Sequence, residues 1–510
     1  MYRCLVVMIL TCVVLPADVA MGQEKLRLTP KGPQGKDGPS RDVPRLIALD
    51  ISPAAEPVPP LEYSFVPGYL EQTPGNAVPY YYRALMNLKQ LGGVMRGPLN
   101  QGNFDQWMEG PLDEFPVEEV RAFVDQYTTV FNELKIAVYR EECRWDWQLR
   151  RKTGTEPIAF VLSEIQESRE LARLLVLKSR VEIADGRYDD ALETIRWGYQ
   201  LARDVAKPPI LINGLVGIAI TYLMNEQVLT LINAPDSPNL YWALAALPDP
   251  FLNIEPAMRH EMSIPALMFP FLKDAETAQH VPEEWNNILT DCIRELAAIG
   301  LDMGSAGKPG WQGRLATTAL LVQGYPRAKK HLHEWGYDAD DVEKMSVGQV
   351  IAIHQSRTYK IIYQEMFKWT LLSEAKAIQW RPASDQKLRS AGYWGHSPTS
   401  KSEVIPIAAT LLPAISQATY AYIRTDTRLA ALRTVEAIRM HAAAHDGQLP
   451  EKLSDIDAVP LPNEPATGEP FAYEFDGERG ALDIPVPPGR QANINWRIDI
   501  TIRKTGRDQK

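Results

Sequence analysis

Cysteine is scarce in this chain: four residues in 510. Cys4 and Cys12 fall in the first apolar stretch, so only Cys143 and Cys292 remain beyond it. That number excludes a disulfide-stapled scaffold. The two can form one bridge or stay as buried thiols, and a chain this long can build a core that needs no bridge, which favours thiols. Long apolar runs are also missing after the start. The uncharged stretches Pro208 to Asn225 and Val404 to Ile423 are interrupted by Asn213, Gly214, Gly217, Thr221, Pro406, Pro413 and Gln417. They read as buried helices of a soluble bundle, with Gly214 and Gly217 letting a neighbouring helix come close. No Lys/Arg run is present, and the formal net charge of −10 argues against nucleic acid or anionic lipid as the main partner. HExxH, Gly-x-Ser-x-Gly and phosphate-loop motifs are absent as well, and no cofactor motif is found.

What is present begins with an address. Met1-Tyr2-Arg3 is a short basic start, Cys4 to Leu15 is apolar apart from Thr11, and Pro16 breaks the run. Ala20-Met21-Gly22 then offers small residues for a cut near Gly22/Gln23. This is the layout of a secretory signal peptide over 1–22, too short to persist as a bilayer span. The expectation is an extracytoplasmic protein, periplasmic or secreted. Thr11 before Cys12, with little apolar chain upstream, disfavours lipidation.

Residues 23–60 are rich in proline, glycine and charge and read as a flexible leader, within which Leu46 to Leu49 could pack locally. Helical periodicity then dominates 61–400. Pro79 fits the first turn of a helix through Tyr82, Leu85 and Leu88. Val120, Phe123, Tyr127, Val130 and Leu134 recur at helical spacing behind Pro116-Val117-Glu118-Glu119. A helix from Pro157 to Ala184 closes at Gly186, and another opens at Tyr188-Asp189-Asp190-Ala191. Further helices are expected over Trp242 to Leu247, Pro256 to Leu272, Glu283 to Ile299 and, capped by Ser346 and Gln349, Ser346 to Ala377. Gly300 to Gly313 reads as a loop and Trp380 to Ser402 as a boundary. In 401–510 a helix striped by Ala431, Val435, Ile438 and Ala442 ends at Gly447. Short strands follow at Phe471 to Phe475, Ala481 to Ile484 and Ile494 to Ile502.

Two segments resemble known families. Ala184-Asp185-Gly186-Arg187-Tyr188-Asp189-Asp190-Ala191-Leu192 resembles the centre of a tetratricopeptide repeat, which implies a tight antiparallel helical hairpin; no second copy appears at that period. The C-terminal helix, its Gly447-Gln448-Leu449-Pro450 corner and the Pro460 to Tyr473 loop before short strands resemble the C-terminal half of type II secretion pseudopilins. Asn463-Glu464 stands where those loops carry an aspartate, so a calcium site does not carry over, and the helix is internal rather than an N-terminal anchor. The whole layout also resembles exported, uncharacterised helical proteins of bacteria.

Candidate chemistry is sparse. His441 and His445, one turn apart and followed by Asp446, could grip a metal, but they sit at a helix end where imidazolium favours the free carbonyls. His331 and His333 alternate and so point apart on a helix, and the acids Asp338, Asp340, Asp341 and Glu343 read as a helix start. Glu167-Ser168 is similar to the Glu-Ser pair of lytic transglycosylases, yet the companion motifs are missing and Glu164, Arg169 and Glu170 mark a solvated face. Arg144, Trp145, Trp147, Arg150 and Arg151 combine aromatic faces with cations and form the best candidate contact surface, against a reading as core anchors and local ion pairs. The sequence thus predicts a mainly α fold, a helical bundle or short TPR-like solenoid with a small C-terminal α+β module. The expected role is a non-catalytic binding or scaffolding protein of the cell envelope, with a protein or peptide partner and no stable membrane span after cleavage. The alternative is a hydrolase of cell-wall glycan or peptide, metal-assisted through His441 and His445.

Overall fold

The structure is a computed structural model and describes residues 45–93, 101–148, 151, 163–299, 303–390, 404–405, 407, 414–485 and 496–503. The signal segment, the start of the leader, Arg150 and the 391–402 part of the expected boundary lie outside these residues.

The chain opens with β1 (Arg45–Ile51), β2 (Thr73–Asn76), α1 (Val78–Gln90), α2 (Gln101–Glu109), α3 (Val117–Val124), α4 (Thr128–Val138) and β3 (Arg140–Glu142). Helices α5 (Ser163–Ala184), α6 (Tyr188–Ala206), α7 (Leu211–Ile232), α8 (Tyr241–Ala245), α9 (Glu255–Met268), α10 (Phe271–Asp274) and α11 (Pro282–Ala298) follow. Then come α12 (Trp311–Glu334), α13 (Ala339–Lys344), α14 (Val347–Phe367), α15 (Glu374–Ala377), α16 (Arg381–Ser390) and α17 (Ala414–Ala444). Strands β4 (Ala472–Phe475), β5 (Gly480–Ile484) and β6 (Trp496–Ile502) close the order. The fold is mainly helical with a small C-terminal sheet.

The described residues form two compact units: a larger one within 45–146, 163–254 and 420–503, and a smaller one from 147, 148, 151 and those within 255–419. In the larger unit, α5, α6 and α7 pack on one another. Gly186, at φ 72°, ends α5, and Arg187 N–H reaches back to the Glu182 carbonyl at 2.9 Å. Asp189 and Asp190 then occupy the first turn of α6, where carboxylates suit the positive helix end. Backbones come close because glycines line the seam. A Cβ on Gly198 would meet the Met224 sulfur at 1.9 Å, and one on Gly217 the Ala202 carbonyl oxygen at 2.8 Å. Among the described residues α7 is long and apolar enough to cross a membrane by length and composition, and 72% of that window is buried in the protein.

The sheet differs from the expected contiguous C-terminal module. Its order is β1-β6-β5-β4, with β1 parallel to β6 and the other pairs antiparallel. Arg45–Ile51, expected in a flexible leader, is a strand because Leu49 and Ile51 lie level with Ile500 and Ile502, and Leu49, Ile51 and Ile500 are buried. A four-residue apolar patch could not announce a partner about 450 residues away. Arg428 of α17 lies over the ring of Trp496 at 3.9 Å and that of Tyr222 at 4.5 Å, joining sheet to helices. The expected helix through Tyr127 and Leu134 is likewise two helices, since Asp125–Tyr127 tightens into a 3₁₀ turn.

In the smaller unit a core around Trp285, Leu289, Ile293, Leu332, Val350 and Ile351 joins α11, α12 and α14. Helix α12 fills part of what reads as a glycine-rich loop and runs through Pro326. Ser346 caps α14 through Gln349 N–H at 3.2 Å.

Candidate functional site

The expected contact surface is divided. Past β3, the Asn76 side chain imitates a strand rung: it donates to the Arg144 carbonyl and accepts from the Arg144 N–H, both at 2.9 Å. This turns Trp145 inward. Its indole N–H donates to the Asp204 carbonyl at 2.9 Å, its ring lies parallel to Tyr81 at 6.4 Å, and Tyr82 meets it edge-on at 5.8 Å. Arg144 stays exposed and pairs with Glu142 at 2.6 Å. Trp147 and Arg151 belong to the smaller unit, where Arg151 donates to the Gln148 side chain at 3.2 Å. Arg150 lies outside the described residues.

Asp204 anchors the Trp145 region. Its carboxylate is buried and accepts from the Tyr81 hydroxyl at 2.7 Å and the Gln200 amide at 3.1 Å, with Lys207 at 2.7 Å supplying the opposite charge. Burial, reinforced by this carboxylate, pushes the Tyr81 hydroxyl and the Cys143 thiol well above their ordinary ranges. Cys292 is raised by burial too, with Glu295 adding to it. Cys143 and Cys292 are both free, buried thiols. Neither is a ready nucleophile, because thiolate chemistry needs a lowered pKa.

His441 and His445 stack face to face, ring centres 3.9 Å apart and planes 15° from parallel. A shared metal must lie in both ring planes, and planes so stacked do not meet near either ring. His445 Nδ1 is also committed to the His441 carbonyl at 2.8 Å, so it caps the end of α17. Burial, then the neighbouring His445, lowers the His441 pKa. Asp446 takes a left-handed φ of 52° in the turn after α17. Among the described residues no group of three His, Cys, Asp or Glu side chains is placed to hold a metal.

His331 does have an imidazole partner, but one that sequence reasoning missed. Its Nδ1 lies 2.9 Å from Nε2 of His354, with ring centres 5.1 Å apart, so the two nitrogens meet nearly head to head. The surroundings set the tautomers. The Gln355 amide nitrogen donates to the Ile405 carbonyl, which leaves its oxygen to accept from Val404 N–H at 3.3 Å and from His354 Nδ1 at 3.4 Å. His354 Nδ1 therefore carries a hydrogen and Nε2 accepts, so His331 Nδ1 donates and its Nε2 keeps a bare lone pair. Trp335 lies nearly parallel to His354 at 5.4 Å. Burial, with His331 alongside, pushes His354 down to about 3, and burial lowers His331 as well. The missed signal is His354-Gln355-Ser356, three consecutive polar residues that are all buried on α14. His333 is exposed, and Asp338 caps α13 by accepting from Asp340 and Asp341 N–H at 2.9 and 3.1 Å.

Two further carboxylates singled out in the sequence are committed to partners. Glu167 pairs with Lys89 at 2.8 Å. Glu464, at the position that departs from the pseudopilin pattern, is 1% exposed. It accepts from Thr427 Oγ1 at 2.7 Å, Ala466 N–H at 3.0 Å and Thr467 N–H at 2.7 Å. Its oxygens close the Pro462–Gly468 loop onto α17. Comparison of the chain with protein-family models, curated proteins and solved structures finds no match.

Proposed function

We propose that the chain is an exported, non-catalytic binding or scaffolding protein of the cell envelope, acting through helical-hairpin surfaces on a protein or peptide partner. The observation that carries this reading is where the chemically capable side chains are spent. His445 is bound to its own helix, Glu167 to Lys89, Glu464 to a loop and Asp204 to Tyr81 and Lys207. Catalytic sites instead aim such groups at one point in a cleft. The α5–α6 hairpin, which we read as TPR-like on the strength of its turn sequence, presents Asp185, Arg187, Asp189 and Asp190 at its turn, a charged rim suited to a peptide.

The test places a photo-crosslinker at exposed positions beside Asp190 in the full chain and identifies what it captures in the envelope. One recurrent partner, lost on Arg187→Glu/Asp190→Lys, supports the reading. Release of cell-wall fragments by the purified chain, abolished by Glu167→Gln or by chelation, would establish a hydrolase and end it.

A further inference from the structure

In the larger unit, the loop between β1 and β2 lies on one face of α6. Burial raises the Tyr63 pKa, and Asp189 and Glu62, both close to its hydroxyl, raise it further. Arg196 of α6 donates from Nε to the Ser64 carbonyl at 2.7 Å and from Nη1 to the Glu71 carboxylate at 3.3 Å. Phe65 meets Tyr199 edge-on at 5.2 Å. Positions 189 and 196 share a face of α6, about 10 Å apart along its axis.

The end of this loop is a braced turn. Glu71 N–H donates to the Gly68 carbonyl at 3.0 Å, and the Glu71 carboxylate accepts from Gly68 N–H at 2.6 Å. Arg196, whose side chain is only 15% exposed, holds that carboxylate and also bonds the Tyr139 hydroxyl at 3.1 Å. Phe65 and Pro67, just before the turn, are buried. Yet the two residues at its tip are Tyr69, 88% exposed, and Leu70, 93% exposed. A turn fixed this firmly presents an aromatic and an aliphatic side chain already ordered for contact, the arrangement of an interface anchor.

The nearby charge selects what the anchor meets. Glu62 and Asp189 are exposed, and among the described residues neither is ion-paired. The cations beside them on α6 are committed: Arg187 to Asp185 at 3.0 Å and Asp190 at 2.6 Å, Arg196 to Glu71 at 3.3 Å and Glu193 at 3.4 Å. Two unmatched carboxylates near an apolar tip complement leucine-type side chains with Lys or Arg close by. The spacing of about 10 Å is two helical turns, so one face of a helix can supply both. Building on a binding role for the α5–α6 hairpin, we propose that Tyr69 and Leu70, together with the carboxylates of Glu62 and Asp189, dock a cationic amphipathic helix of the partner.

The probe is a fluorescein-labelled Leu/Lys peptide of helical amphipathic spacing, with its Leu/Glu counterpart as the opposite; anisotropy is read on titration with the full chain. Binding of the Leu/Lys peptide alone, weakened by added salt, is expected. Tyr69→Ser/Leu70→Ser should raise its Kd at least about tenfold, and Glu62→Gln/Asp189→Asn about fivefold, with parental melting midpoints. Glu283→Gln/Glu478→Gln, which neutralises exposed acids elsewhere, should bind like the parent. If the tip variant fails to fold, the comparison of the two acid pairs decides alone. No binding of the Leu/Lys peptide, equal binding of the Leu/Glu peptide, or an equal loss in both acid pairs overturns the proposal, while a partner still crosslinked beside Asp190 would leave the binding role itself standing. A concentration-dependent dimer that Tyr69→Ser/Leu70→Ser dissociates also overturns it, making the turn a contact with a second copy.

Discussion

Arg439 and Glu436, three residues apart on α17, form an ion pair at 3.1 Å in which neither side chain has any exposure. The same guanidinium donates to the Ser52 carbonyl at 3.0 Å, the Pro238 carbonyl at 3.1 Å and the Ser237 carbonyl at 2.7 Å. Every donor direction of the fork is used, and one side chain ties the exit of β1 and the loop before α8 to the long helix. Burial raises the Glu436 pKa while Arg439 opposes it.

Removing one member of that pair strands a buried charge. Arg439→Met should destabilise the larger unit by about 3–5 kcal/mol, measured by urea denaturation near neutral pH. Glu436→Gln/Arg439→Met should recover part of the loss, since no lone charge is then left inside. A cost below about 1 kcal/mol for the single variant would show that the carbonyl bonds, not the charge, hold this junction.

Acid should loosen the smaller unit through its imidazoles. His331 and His354 are both lowered in the folded chain and titrate near 6.5 when unfolded. Arg327 faces both rings with like charge, Lys330 adds to this at His331, and Glu334 opposes it there. Between pH 6.5 and about 3 the unfolded chain binds the extra proton. Stability is thus complete above pH 6.5 and falls on acidification, by up to about 1.4 kcal/mol per pH unit for one group. Melting at pH 7 and pH 5 should show a drop that His354→Gln makes smaller. A His354→Gln variant with the parental pH slope would remove this pair as its source.

Close backbone approach predicts a steric pair. A Cβ on Gly214 would fall 1.5 Å from the Tyr422 hydroxyl oxygen and 2.7 Å from its ring carbon. Gly214→Ala should cost about 1–3 kcal/mol through overpacking. Adding Tyr422→Phe should return a portion only, because the ring itself remains too near. Additive costs in the double variant would mean that α7 and α17 shift apart.

Glu464 supports a loop rather than a cation. Glu464→Ala should cost about 1–3 kcal/mol, the penalty of leaving buried donors unmet, and calcium should leave the melting midpoint of the parent unchanged. A calcium-dependent rise lost in Glu464→Ala would show instead that the loop opens to take the ion.

Where periodicity was local, it was readable. Trp496, Ile498, Ile500 and Ile502 alternate in sequence and form β6, and Gly186 ends α5 as its spacing suggests. Helix α12 was harder because Gly313, Gly324 and Pro326 interrupt it. Gly313 is admitted since its Cβ would lie 1.7 Å from the Lys308 carbonyl oxygen, and Gly324 since Val404 is at 2.3 Å. The candidate surface was half legible. Trp145 is visible as an aromatic beside cations, but the Asn76 amide that turns it inward, by bonding Arg144, lies 68 residues before Arg144. His354 escaped notice because an imidazole pair separated by 23 positions has no local signature.

Strand β1 lies parallel to β6 in a register that sets Arg45 beside Trp496 and Ile51 beside Ile502. A ribosome must add about 450 residues after β1 before that rung can form, and closing so large a loop is slow. Assembly of the four-stranded sheet is therefore a late event, and a truncation that removes Trp496–Ile502 should leave Arg45–Ile51 an unclaimed sticky edge, open to intermolecular aggregation.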